Sequence, residues 1–409
     1  MKRTKIVATM GPASNTEERL EALIQAGMNV ARLNFSHGEH AIHGQIIGNV
    51  RKVDEKLGTH TALLADLQGP KLRIGELEGG QIDLVQGEEC VIRTGSEVGT
   101  SGVVYTNYMK FARDVKAGEP VLMDDGKIEL RVLETDGKDE VRCEVVHGGV
   151  LKPRKGINLP STAISLPCIT EKDAVDLAYA LEQDVDWIGL SFVRNAQDIV
   201  ELRERIEAEG KHTRIIAKIE KPEALADLDG ILEETDAVMI ARGDLGVEIP
   251  KQEVPLVQKD IIRRCMHMGK PVIVATQMME SMIEASVPTR AEVSDVAQAI
   301  YEGADAVMLS AESAAGSYPL DAVKTMNNVA VEVEKDPIHR KVLEAARTPA
   351  RRGVSDAITV AAREIAETTN IKAICCFTHS GTTALLACRE RPRVPIIALT
   401  PYTETARKL

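Results

Sequence analysis

Eight short apolar runs recur along the chain: KIVATMG (5–11), VARLNFS (30–36), TALLADLQ (61–68), WIGLSFV (187–193), RIIAKIE (214–220), AVMIARGD (237–244), PVIVATQ (271–277) and AVMLSAE (306–312). Their apolar parts do not alternate with polar positions, which is the pattern of parallel strands buried on both faces. Helical patterns lie between most of them. Asn15 to Ala26 puts Leu20, Leu23 and Ile24 on one face and stops at Gly27, which suits a left-handed cap. Thr170-x-x-Asp173 reads as a capping box opening a helix with Val175, Leu177, Ala178 and Leu181 as its apolar positions. Eight alternating units of this kind predict an α/β fold, a (β/α)8 barrel, with an open doubly wound sheet as the competing arrangement.

The third unit is interrupted. From about Pro70 to Pro167 the apolar period changes to two, as in IELRV (128–132) and VRCEV (141–145), with turn pairs at Asp125-Gly126 and Asp136-Gly137. A small β-barrel domain inserted after the third strand is expected, lying over the C-terminal face of the main barrel as a mobile lid. After about Asp336 a helix, a strand at Ile371–Phe377, a second helix and a strand at Ile396–Leu399 predict a partial α/β unit. One βαβ piece buries little surface, so this unit reads as incomplete. The expected ranges are 1–69 and 168–340 for the two parts of the barrel, 70–167 for the lid and 341–409 for the last unit.

Length and charge narrow the class. The 409 residues, 44% hydrophobic, suffice for roughly two to four domains. A net charge of −12 argues against nucleic-acid and anionic-membrane partners. No apolar run is long enough to span a bilayer, and the basic start carries too short an apolar stretch for a signal peptide. The seven cysteines are scattered without a CxxC pair and read as reduced thiols of a cytoplasmic protein.

The chemistry gathers where the apolar runs end. Those ends carry Arg32, Asn34 and Ser36; Asp66; Ser191; Lys218 and Glu220; Arg242 and Asp244; Thr276 and Gln277; Ser310 and Glu312. In a barrel all of them converge on one mouth. Glu220 and Asp244 offer the hard oxygens that hold Mg²⁺ together with substrate and water. Lys218 lies two residues before Glu220, on the same side of a strand, and can neutralise charge developing on a substrate. Gly243 lets backbone amides approach an anion. No GxxxxGK[ST] or GxGxxG loop is present, so a nucleotide must rely on scattered groups such as His37, Lys71, Arg73 and Lys155 near the barrel–lid junction. His37, His40 and His43 fall three apart, but they read as exposed loop residues with no further ligand for zinc. Met278, Met279 and Met282 read as core packing.

Eight strings resemble the pyruvate kinase family: ARLNFSHG (31–38), DLQGPKLR (66–73), KGINLP (155–160), AKIE (217–220), ARGDLGVE (241–248), ATQMMESM (275–282), PTRAEVSDVA (288–297) and AVMLSAESAAGSYP (306–319). The resemblance implies a cytoplasmic, allosteric, homotetrameric glycolytic enzyme that passes a phosphoryl group from phosphoenolpyruvate to ADP. It implies Mg²⁺, or Mn²⁺ in its place, on Glu220 and Asp244, with Lys218 and Arg32 on the phosphoryl group. Thr276 and the backbone of Gly243 and Asp244 would hold the substrate carboxylate. Arg73, His37 and Lys155 would reach ADP, and Ser310 and Glu312 would support a proton path. The family's monovalent site maps onto Asn34, Ser36, Asp66 and the Leu67 carbonyl. Lys71 stands where potassium-dependent members carry Glu, so no K⁺ requirement is expected. THSGTT (378–383) resembles the effector phosphate loop, through Thr378, Ser380 and Thr383, but the rest of that effector site is absent. Competing readings are a Mg²⁺-dependent aldolase or related lyase, and an inactive scaffold left by a shortened last unit.

Overall fold

The computed structural model describes residues 2–347 and 353–409. Met1 and residues 348–352, which fall inside the ranges expected for the first part of the barrel and for the last unit, lie outside the described residues. Eight strands close into a parallel barrel: Lys5–Thr9, Val30–Asn34, Ala62–Asp66, Trp187–Leu190, Arg214–Ile219, Ala237–Ala241, Val272–Ala275 and Ala306–Leu309. The first strand pairs with the last through Lys5 and Ala306, which removes the open-sheet alternative.

Alternate residues of these strands divide between two cores. Val7, Leu64, Ile216, Met239, Ile273 and Met308 fill the barrel interior. Their neighbours Ile6, Leu63, Ile215, Val238, Val272 and Val307 pack outward against the helices. Each strand is therefore apolar on both sides, and the sequence shows runs rather than alternation.

The first helix spans Glu17–Ala26, with Thr16 as its N-cap and Gly27 as its C-cap at φ 117°. The helix Glu171–Glu182 opens with the expected capping box at Thr170 and Asp173. Its apolar face differs from expectation. Val175 and Ala178 are exposed, while Asp173, Asp176 and Ala180 turn inward beside Leu177 and Leu181. Two buried aspartates hide the true phase of the stripe. Asp173 accepts the Gly69 amide and caps its own helix, and Asp176 takes Lys172 and His40, so burial leaves neither without a partner.

The inserted segment forms a six-stranded, mostly antiparallel sheet whose two edges are both bridged by the segment at Arg73 and Ile74, through Gly156 and Thr106, beside a two-stranded sheet, Ile82–Leu84 with Gly149–Leu151. Its own core includes Ile92, Val104, Leu130, Val141 and Cys143. The last unit pairs strands Ile374–Phe377 and Ile396–Leu399 in parallel. Its buried centre is small, built on Cys376, Ala384 and Ala387, and Phe377 stays 79% exposed. Among the described residues no helix is long and apolar enough to cross a membrane.

Candidate active site

The fourth and fifth barrel strands bring Ser191, Lys218 and Glu220 to the C-terminal mouth, and the third brings Asp66. These groups form one buried charge cluster. The Lys218 ammonium lies 3.1 Å from Asp66, 3.0 Å from Glu220 and 2.8 Å from the Ser191 hydroxyl. Asp66 also takes the Arg32 guanidinium through its Nε and a terminal nitrogen, at 2.7 and 2.6 Å. Arg32 in turn donates to the Thr9 hydroxyl at 2.8 Å.

Burial opposes the charge on Lys218, but Asp66 and Glu220 outweigh it and hold its pKa above the ordinary lysine value. Burial likewise pushes Asp66 up, yet Lys218 and Arg32 bring it below the usual carboxylate range. Glu220 goes the other way: burial, aided by nearby Asp244, raises it despite Lys218. The second oxygen of Glu220 accepts the backbone amide of Phe192 at 2.7 Å, and Phe192 has φ 56°.

Asp244 sits in the short helix Arg242–Glu248 that follows the sixth strand, about a quarter exposed, with the Lys71 ammonium 3.5 Å away. The preceding amide, that of Gly243, donates to the Thr276 hydroxyl at 2.7 Å. Thr276 and Gln277 both have positive φ, 70° and 54°, an unfavourable conformation for side chains of their kind. Arg242 holds that loop in place. It donates to the carbonyl oxygens of Ala275 and Thr276 and forms a two-pronged pair with Asp295, both contacts at 2.7 Å. Sequence reasoning saw Arg242 only as a cation at a strand end. The signal that completes it is Asp295 in PTRAEVSDVA, whose partner only the fold reveals.

Ser310 and Glu312 follow the eighth strand. The Glu312 carboxylate is buried and accepts the backbone amides of Ser310 at 2.7 Å and Met279 at 3.3 Å. It shapes the Ser310 turn rather than facing the mouth freely. Met278, Met279 and Met282 are fully buried in the outer core.

Asn34 ends the second strand in register with Asp66, and its side chain accepts the Ser36 amide at 3.2 Å. The Leu67 carbonyl accepts the Ser191 hydroxyl at 2.6 Å. Loss of surrounding water lowers the His37 pKa first, and the charges of Arg73, Lys71 and Arg32 lower it further, so these cations share one field. Lys155 pairs with Asp124 of the lid at 2.7 Å, and Arg73 donates to the Arg154 carbonyl. A chain of contacts missed in the sequence joins lid to barrel: Asn158 donates to Glu248 at 2.8 Å, and Glu248 pairs with Lys221 at 2.9 Å.

Of the three histidines only His37 is the exposed loop residue expected; His40 and His43 lie on the helix His40–Leu57, half-buried and buried. His43 stacks on Phe35 at 4.4 Å and meets the His37 carbonyl, while His40 stacks on Tyr179 and pairs with Asp176. In the last unit the Thr378 hydroxyl accepts the Gly381 amide, Ser380 and Thr382 meet 2.8 Å apart, and Thr383 is exposed.

Family models match at residues 1–323, the pyruvate kinase barrel domain, and at 356–409, the pyruvate kinase alpha/beta domain. The chain belongs to the pyruvate kinase family. It is 47% identical to a pyruvate kinase of Staphylococcus aureus (strain MRSA252) over 409 residues, all of this chain and 70% of that protein. It is 47% identical to a pyruvate kinase of Staphylococcus haemolyticus over 411 residues, with the same coverage. The crystal structure of a pyruvate kinase from Cryptosporidium parvum superimposes with a TM-score of 0.95 at 40% identity, covering all of this chain and 85% of that one.

Proposed function

We propose that the chain transfers the phosphoryl group of phosphoenolpyruvate to ADP, giving pyruvate and ATP, at the mouth formed by Arg32, Lys218, Glu220, Asp244 and Thr276. The observation that carries this reading is the buried cluster in which Lys218 is shared by Asp66, Glu220 and Ser191. Such a cluster fixes a cation where a phosphoryl group gains charge, and phosphoryl transfer depends mainly on position and electrostatics. Membership of the family supports the same reaction and does not favour an aldolase or lyase.

Two carboxylates at neighbouring strand ends, close enough for Asp244 to raise Glu220, fit a divalent ion that takes its remaining ligands from substrate and water. Glu220 and Asp244 would hold it, and when bound it supplies positive charge to the phosphoryl oxygens. Lys218 neutralises the group in transfer while Arg32, steadied by Asp66 and Thr9, orients it. Thr276 and the backbone of Gly243 and Asp244 hold the substrate carboxylate. Ser310, its turn fixed by Glu312, leads the proton to the enolate. His37, Arg73 and Lys155 face ADP from the barrel and the lid, which closes to exclude water. Pyruvate formation from phosphoenolpyruvate and ADP with Mg²⁺ tests the reading. Turnover is expected, and a folded chain that makes no pyruvate with or without K⁺ would remove it.

Lys71 supports independence from K⁺. Its ammonium lies beside Asp244, where it supplies a fixed positive charge to the mouth. Activity in Tris buffer free of K⁺ is expected to change little on adding KCl. Lys71→Glu is expected to lower K⁺-free turnover by about 100-fold, on the scale of one lost electrostatic contact, and KCl should restore part of it. A severalfold rise with KCl in the unaltered chain would defeat the proposal. Assembly as a homotetramer is carried over from the same family relation. Sedimentation velocity checks it, and a stable monomer would contradict it.

A further inference from the structure

The lid comes down on the short helix Arg242–Glu248, which carries Asp244 in its first turn and ends at Glu248. The two carboxylates are four residues apart, about one helical turn. Glu248 is buried, and both of its oxygens are engaged. One accepts the side-chain amide of Asn158 at 2.8 Å, and the other pairs with the Lys221 ammonium at 2.9 Å. Lys221 is also buried, and it follows Glu220 directly in the chain. A second contact falls on the same helix: at the lid's turn 124–127, a Cβ on Gly126 would meet Val247 at 3.5 Å.

Asn158 belongs to the lid strand Ile157–Asn158, which pairs antiparallel with Leu122 and Met123. The stretch just before it runs beside residues 72–74. The Ile157 amide donates to the Leu72 carbonyl and the Ile74 amide to the Lys155 carbonyl, both at 2.9 Å. Asn158 therefore shares one hydrogen-bonded piece with Lys155 and Arg73, the two cations proposed above to reach ADP. A cavity of about 30 Å³ between lid and barrel is lined by Lys71, Asn158, Lys221, Asp244 and Glu248, so the contact lies beside Asp244. Burying an ion pair costs desolvation, and an apolar pair of similar volume is often no less stable. The pair does what an apolar pair cannot: it fixes a carboxylate oxygen in one direction, toward a donor on the lid.

We propose that Glu248, held by Lys221, is a positioning residue that anchors Asn158 and thereby sets Lys155 and Arg73 over Glu220 and Asp244. The proposal rests on the phosphoryl-transfer reading. Both anchors sit on the segments that carry the metal carboxylates of that reading: Lys221 next to Glu220, and Glu248 one turn beyond Asp244. The lid's cations are thus held in register with those carboxylates. When the lid lifts, Asn158 leaves but Glu248 keeps Lys221, so no charge is left buried without a partner and the contact can be broken and remade. A misplaced clamp of this kind weakens the substrate it positions, which here is ADP and not phosphoenolpyruvate.

Isothermal titration of the full chain with ADP and, separately, with phosphoenolpyruvate, both with Mg²⁺, tests the proposal on Asn158→Leu and Asn158→Ala. Leucine fills nearly the same space as asparagine but donates nothing. Both variants should lose about 10- to 100-fold in ADP affinity, the scale of one hydrogen bond to a charged group, with phosphoenolpyruvate affinity unchanged. In turnover the loss should appear in KM for ADP rather than in kcat. A merely space-filling Asn158 predicts instead that leucine is harmless and alanine is not. That order would overturn the proposal, as would unchanged ADP affinity in both variants or an equal loss for both substrates. If Asn158→Leu does not fold, Asn158→Ala decides by the same split between ADP and phosphoenolpyruvate. Adding Glu248→Gln to Asn158→Ala should weaken ADP little further, because the two residues act as one contact; full additivity would overturn the proposal. A parent chain that binds ADP but makes no pyruvate would remove the phosphoryl-transfer reading, while ADP affinity still decides the anchoring role. A parent that binds no ADP would remove both.

Discussion

Lys218→Met is expected to abolish nearly all turnover, lowering kcat by roughly 10³- to 10⁵-fold, the range for a cation that stabilises a transferring phosphoryl group. The argument rests on place rather than on charge alone. The ammonium is buried and fixed by Ser191, Asp66 and Glu220, so it stands ready without reorganisation when charge develops. Methionine has nearly the same length and fills the space, so packing should survive. Stability should not survive intact. Removing the shared cation leaves Glu220 without an ion-pair partner, and Asp66 with Arg32 alone, among the described residues. Breaking a buried pair in this way costs about 3–5 kcal/mol, visible as a lower urea midpoint. Single-turnover kinetics on the folded variant provides the check. A drop of less than about 10-fold would mean that Lys218 is not the group that stabilises the transferring phosphoryl.

Glu220→Gln is expected to raise the Mg²⁺ concentration needed for half-maximal turnover by more than about 100-fold, since even the partners of metal ligands contribute 10- to 100-fold. Turnover at low Mg²⁺ should collapse and recover partly at high Mg²⁺. The substitution is isosteric, but it is not neutral for the fold. One Glu220 oxygen accepts from Lys218 and the other from the Phe192 amide. A glutamine amide can accept at only one of these places, and its NH₂ must then face a donor. Such a mismatch in a buried position costs about 1–3 kcal/mol. Turnover titrated with Mg²⁺, alongside thermal unfolding, separates the two effects. An unaltered Mg²⁺ profile would take Glu220 out of the metal site.

Much of this was legible in the sequence because burial on both faces writes itself into composition. The eight apolar runs are strands for that reason, and their polar ends mark the mouth. Lys218 and Glu220 share a side because strand period is two. The turn pairs and the change of period announce the inserted sheet. What stayed hidden depends on partners far apart in the chain. Asp173 and Asp176 look like surface residues of a helix until Gly69, His40 and Lys172 meet them, and so the apolar pattern points Val175 inward although it is exposed. His43 looks like a loop residue until Phe35 stacks on it.

The sequence by itself determined the eight strands, the inserted sheet and the polar groups at the strand ends, since these follow from local period; that the strands close into a barrel came from the pairing of Lys5 with Ala306. Only the tertiary structure decided how those groups share charge. Asp66 and Lys218 are 152 positions apart, yet 3.1 Å separates their charged atoms. Arg242 finds Asp295, Glu312 turns to backbone amides, and Arg3 reaches the carbonyl oxygens at 392 and 393. Electrostatic energy falls with distance and rises with burial, and neither quantity exists until the chain has closed.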